Sequence, residues 1–87
     1  MKLWVDGKRE PEVDWVWART AHCAIVMLRG GNVERISFSP DQRKLVGEVV
    51  DWMIENNVHP AKREVHSRND GVKHPRGFLK LNRVAAL

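Results

Sequence analysis

Residues 33–57, VERISFSPDQRKLVGEVVDWMIENN, decide the fold. Val33 to Phe38 alternates apolar and polar side chains, the period-2 pattern of a strand. Ser39-Pro40-Asp41-Gln42 then opens a helix. Ser39 stands as N-cap, Pro40 as first helical residue and Gln42 at the reciprocal capping-box position. Leu45, Val46, Val49, Val50, Trp52 and Met53 share a broad apolar face, and Lys44, Glu48, Asp51 and Glu55 fall on the opposite one. The helix is expected to end near Asn56-Asn57.

Working outward, the same theme repeats. Met1 to Val5 (MKLWV) is a short apolar strand before the Asp6-Gly7 turn signal. Lys8 to Asp14 is polar, carries Pro11 and reads as a loop. Trp15 to Arg19 (WVWAR) is aromatic and β-branched, a second strand. Thr20 caps a helix over Ala21 to Arg29, and Gly30-Gly31 stops it. Ala21, Ala24, Ile25 and Leu28 form one stripe, but Cys23, Val26 and Met27 make the remaining surface apolar too. Such a helix is buried on more than one side, or it offers a face to a protein partner or a second copy. Downstream, Arg63 to Ser67 reads as a short strand, Arg68 to Arg76 as a loop and Phe78 to Leu87 as a third helix.

The order β-β-α-β-α-β-α implies an α/β domain with a small, mostly parallel, four-stranded sheet and about three helices. Right-handed crossovers are expected to place helices on both faces, a three-layer arrangement. Ligands of open α/β sheets bind at the carboxyl ends of the strands. The residues expected there are Asp6 and Gly7, Ser39 and Asp41, and Ser67 and Asn69.

With 87 residues the chain has room for one core, and one cysteine makes no internal disulfide framework. Its longest apolar run, Cys23 to Leu28, is too short to span a bilayer. MKLWVDG lacks the apolar core and cleavage site of a signal peptide, so no membrane role and a cytoplasmic location are expected. Charge is uneven. Residues 1–29 carry 5 basic and 4 acidic residues, residues 30–59 carry 3 and 5, and residues 60–87 carry 7 and 2, giving the net +4. The basic last third, with Arg68, Lys73, Arg76, Lys80 and Arg83, is the expected contact to a nucleic acid or nucleoprotein complex. Nothing there specifies base readout, so such contact would be backbone-dominated and salt-dependent.

Five segments carry a resemblance: MKLWVDGKREP, WVWART, RISFSPD, VVDWMIENN and VHSRN. Together they resemble the cyclic-phosphate processing receiver-like family, compact relatives of response-regulator receiver domains with a flavodoxin-like fold. The likeness runs over residues 1 to about 69 and leaves the basic segment 70–87 outside. It implies an acidic pocket built from two residues after the first strand and two in the turn after the third. Asp6 and Asp41 keep two of those positions, while Gly7 and Ser39 replace the other two. Arg9 matches the basic position that follows the first acidic pair. His66, Ser67 and Asn69 match the turn after the last strand, and Ser67 stands for the hydroxyl that contacts phosphoryl oxygens.

Clustered carboxylates hold a hard divalent cation that neutralises phosphate charge. The resemblance therefore makes Asp6 and Asp41 the candidate ligands of Mg²⁺, the one cofactor worth considering. Arg9, Ser67 and Asn69 become the candidate phosphate contacts, and His66 and Ser67 the candidate catalytic pair. A hydroxyl cannot form a mixed anhydride, so Ser39 is no acyl-phosphate acceptor. The His residues and Cys23 have no zinc-ligand spacing. The four tryptophans are expected in the core rather than stacked on bases.

Three functions compete. The first is a non-catalytic pseudo-receiver acting by contact. The resemblance brings with it small stand-alone proteins of phages and mobile elements, among them anti-CRISPR inhibitors of host defence. The second is a Mg²⁺-dependent enzyme acting on cyclic phosphates or RNA ends. The third is a structural protein that self-associates through the helix Ala21 to Arg29.

Overall fold

A computed structural model describes residues 1–68. Four strands and two helices follow one another: β1 (Lys2–Val5), β2 (Trp15–Ala18), α1 (Ala21–Arg29), β3 (Arg35–Phe38), α2 (Arg43–Glu55) and β4 (Lys62–Val65). All three strand pairings are parallel, in the order β2-β1-β3-β4. The expected four-stranded α/β sheet is present. The expected helix over Phe78 to Leu87, and with it the third helix, lies outside the described residues. No helix among the described residues is long and apolar enough to cross a membrane.

Strand alternation divides the sheet into two unlike faces. Leu3, Val5, Ala18, Ile36 and Phe38 face one way and join Ala21, Ala24, Leu28, Val49 and Met53 in a single apolar core. Residues from α1 and from α2 both belong to that core, and the two helices also touch each other. Both therefore cover the same face, which corrects the expectation of helices on both sides among these elements. The reason lies in the link from β1 to β2. It spans only residues 6–14, short for a parallel crossover, and contains no helix. The loop itself lies against the second face. There Trp4 donates its indole N–H to the Arg9 carbonyl, and Trp17 donates to the Asp6 carbonyl. Trp4 and Trp15 meet edge to face and are buried, whereas Trp17 and Trp52 stay half-buried, so the expectation of four core tryptophans holds for two of them. The guanidinium of Arg35 lies over the Trp15 ring on that face.

The helices follow their sequence signals unequally. In α1 the Thr20 hydroxyl accepts the Cys23 N–H, and the chain turns away at Gly31, whose φ of +80° suits glycine. Cys23 is buried, and burial pushes its thiol upward, away from thiolate character. Ile25, Val26 and Met27 stay half-buried. At its far end α2 closes with paired bonds from Asn57 N–H to Ile54 O and from Val58 N–H to Met53 O. Asn57 takes the left-handed conformation that this closure needs, with φ of 54°. At its start α2 departs from the sequence reading: it begins at Arg43, and Gln42 makes no side-chain cap. Ser39 is not the N-cap, because its hydroxyl donates to Asp41 and its N–H donates to Val5 O. Gln42 is not the capping-box partner, because its amide is committed elsewhere.

Candidate functional site

Asp6 directly follows β1 and is fully buried. A buried carboxylate needs partners for its charge and its lone pairs. Its Oδ1 accepts the backbone N–H groups of Lys8 (2.8 Å) and Arg9 (2.9 Å), an Asx-type turn that folds the loop back. The same oxygen accepts the Gln42 Nε2 amide at 2.8 Å. Its Oδ2 accepts Arg9 Nη1 at 3.1 Å and His66 Nε2 at 2.8 Å. Burial pushes the carboxyl upward, but His66, the two backbone N–H groups and Gln42 outweigh it. The net direction is downward, so Asp6 stays ionised near neutrality.

The guanidinium of Arg9 joins the two surviving acidic positions. Its Nη1 and Nη2 form a bidentate pair with Asp41 at 3.1 and 2.8 Å, while Nη1 also reaches Asp6. Its Nε donates to the carbonyl of Arg68 at 2.9 Å. Of the five N–H donors of an arginine, four are thus committed within the chain. Arg9 is pushed upward by Asp41 and then by Asp6. Arg9 in turn holds Asp41 down to about 2, assisted by the Ser39 hydroxyl. Arg68 stands at the rim, 3.9 Å from Asp41 and largely exposed.

Gly7 and Gln42 form the wall of this pocket. Gln42 Oε1 accepts the Gly7 N–H at 2.7 Å while its Nε2 serves Asp6, so one amide satisfies both residues. A Cβ at Gly7 would lie 3.0 Å from that Oε1 and 3.4 Å from the Arg19 carbonyl. The glycine at the expected second acidic position is therefore what lets Gln42 approach.

His66 points inward, 4% exposed, with its ring stacked on Trp4 at 3.7 Å. Because Asp6 is a carboxylate, the His66 Nε2 carries the proton between them, and Nδ1 lies 2.8 Å from the buried Ser37 hydroxyl. Adjacent residues face opposite ways, and Ser67 is exposed. The chain thus brings Asp6, Arg9, Asp41 and His66 into one hydrogen-bonded cluster. Ser67 follows it at the surface, and Asn69, Lys73, Arg76, Lys80 and Arg83 lie outside the described residues. Sequence reading missed Gln42, Ser37 and Trp4. Only Trp4, an aromatic in the strand that leads into Asp6, gave any signal of its place.

A carboxylate offers about four lone-pair positions, and Asp6 already receives five donors. Asp41 receives both arms of Arg9 and the Ser39 hydroxyl. This arrangement does not fit a divalent cation, because Arg9 stands between the two carboxylates that would share it. Among the described residues no group of three or more His, Cys, Asp or Glu side chains is placed to hold a metal ion. His66 has both ring nitrogens engaged in the interior, with no face toward solvent.

Searches of curated proteins and of solved structures return no match to the chain. A family model, the cyclic-phosphate processing receiver domain, matches residues 1–75. The parallel sheet in the order β2-β1-β3-β4, with Asp6 directly after β1 and Asp41 after β3, agrees with that match. The chain belongs to the cyclic-phosphate processing receiver domain family.

Proposed function

We propose that this chain is a pseudo-receiver, a binding module that keeps the receiver fold and fills the cation's place with its own arginine. The observation that carries this reading is Arg9, bonded at once to Asp6 and Asp41. A fixed guanidinium neutralises the carboxylates as a metal would, but it offers no open coordination position to polarise a phosphoryl group. Its remaining donor capacity is too small to clamp a phosphate as well. The module then works by contact, through cationic side chains, on a nucleic acid or nucleoprotein complex. Occupying such a surface suits an inhibitor of a defence complex of the anti-CRISPR kind.

The test is turnover of 2′,3′-cyclic nucleotide and cyclic-phosphate-ended RNA with Mg²⁺ or Mn²⁺. The expected result is no hydrolysis above the metal-only control. Turnover that chelation abolishes and Asp41→Asn removes would overturn the reading in favour of the enzyme.

A further inference from the structure

Next to the acidic pocket, across the Gly7–Gln42 contact, lies a cleft of about 550 Å³. It runs between the loop after β1, the end of β2 and the starts of α1 and α2, and it is open to solvent. Lys8, Arg19, Arg43 and Lys44 line it, against a single acid, Glu48. All four cations are exposed, and none of them makes an ion pair among the described residues. Arg19 is steadied from behind by the Trp17 ring, 4.8 Å from its guanidinium carbon. Four like charges converging on one concavity repel one another, so the cleft is complementary to an anion that carries several charges.

We propose that this cleft binds the phosphodiester backbone of a single-stranded nucleic acid. The proposal goes beyond the pseudo-receiver reading, on which it rests for its partner class, by placing the contact here rather than in residues 68–83. Three features select a strand. The cations come from three segments, Lys8 from the loop after β1, Arg19 from the turn before α1 and the adjacent Arg43 and Lys44 from the start of α2, so the open cleft presents charge from several sides to a strand's successive phosphates. Small-molecule sites are more enclosed than this open cleft. The lining includes no aromatic side chain, so bases have no stacking platform and contact is through the backbone.

The experiment measures binding of a short labelled oligouridylate to the full chain by fluorescence anisotropy at several salt concentrations. UMP serves as competitor. Changing Lys8, Arg19, Arg43 and Lys44 together to Gln is expected to weaken binding at least about tenfold, with a salt slope flattened by roughly 0.7 per lost contact. Glu48→Gln is expected to tighten binding, an effect that a folding defect cannot imitate. Amide shifts on titration are expected at Gly7, Ala21 and Leu45. If Gln at Arg68, Lys73, Arg76, Lys80 and Arg83 abolishes binding while the cleft variant binds normally, the cleft assignment is overturned and the contact reading stands. Competition by UMP at concentrations equal in phosphate would make this a small-anion site and overturn the strand. No binding at low salt overturns the cleft, whereas the pseudo-receiver reading falls only on metal-dependent turnover.

Discussion

The acidic pocket and the cationic cleft share the Gly7–Gln42 contact as a wall, yet they treat charge in opposite ways. In the pocket every charge is paired inside the chain: Asp6 with His66 and Arg9, and Asp41 with Arg9. In the cleft four cations stand exposed and share one acid. Internal pairing builds the fold but leaves nothing for a ligand. Unpaired surface charge adds little to stability and is free to meet a partner. The difference separates a site that has become structural from a surface that remains available.

Substitutions should divide along that line. Asp6→Ala carries the largest expected effect. It orphans five donors in the interior and should cost about 3–5 kcal/mol, as breaking buried ion pairs does. In a domain of this size that lowers the thermal midpoint by at least about 12 °C, which calorimetry would register. A midpoint close to that of the native chain would mean that the pocket is not structural.

Arg9→Met should come next, at about 1–3 kcal/mol, because it removes a charged donor from buried Asp6. Acid probes the same contacts. Asp41 is held at about 2 chiefly by Arg9, and Asp6 is also depressed. Groups depressed on folding contribute stability above their unfolded values, near 3.8, and lose it as pH falls through their folded values. The midpoint should therefore be level down to about pH 5 and fall between about pH 4 and 2. In Arg9→Met the fall should be shallower, since Asp41 loses the chief cause of its depression and keeps only the help of the Ser39 hydroxyl and Arg68. An equally steep fall in the variant would assign the acid sensitivity elsewhere.

Gln42→Ala should cost about 1–2 kcal/mol, since Asp6 and the Gly7 N–H each lose one bond. Amide exchange at Gly7 would report the loosened wall, and unchanged protection there would remove Gln42 from the account. The smallest effects belong to the cleft. Single changes of Lys8, Arg43 or Lys44 to Gln should stay within about 0.5 kcal/mol while weakening oligonucleotide binding. A large stability loss from any of them would erase the contrast.

Much of this fold was legible in the chain. MKLWV, WVWAR, VERISF and REVHS marked the four strands, and Thr20 with Gly30-Gly31 bounded α1 as found. The start of α2 was not legible, because Ser39 and Gln42 answer to Asp41, Asp6 and Gly7 rather than to the helix. Tertiary partners outbid a local cap there. The shared face of the two helices was hidden in the shortness of the 6–14 link. Asp6, Arg9, Asp41 and His66 were each singled out, but their mutual bonding depends on where three strand ends meet. Gln42 was legible only as a capping residue, because its place in the pocket depends on an atom that Gly7 lacks. The cleft escaped because its cations lie in segments whose net charge is near zero or negative, and only folding separates them from their acidic neighbours.

The most direct test of the central claim is a Mn²⁺ titration followed by NMR line broadening, run on the native chain and on Arg9→Met. If the guanidinium holds the cation's place, the native amides of Asp6, Gly7, Ser39, Asp41 and Ser67 show no saturable broadening at millimolar metal. The same amides in Arg9→Met broaden saturably, because the two carboxylates are released. Saturable broadening confined to those amides in the native chain would contradict the account and return the pocket to metal chemistry.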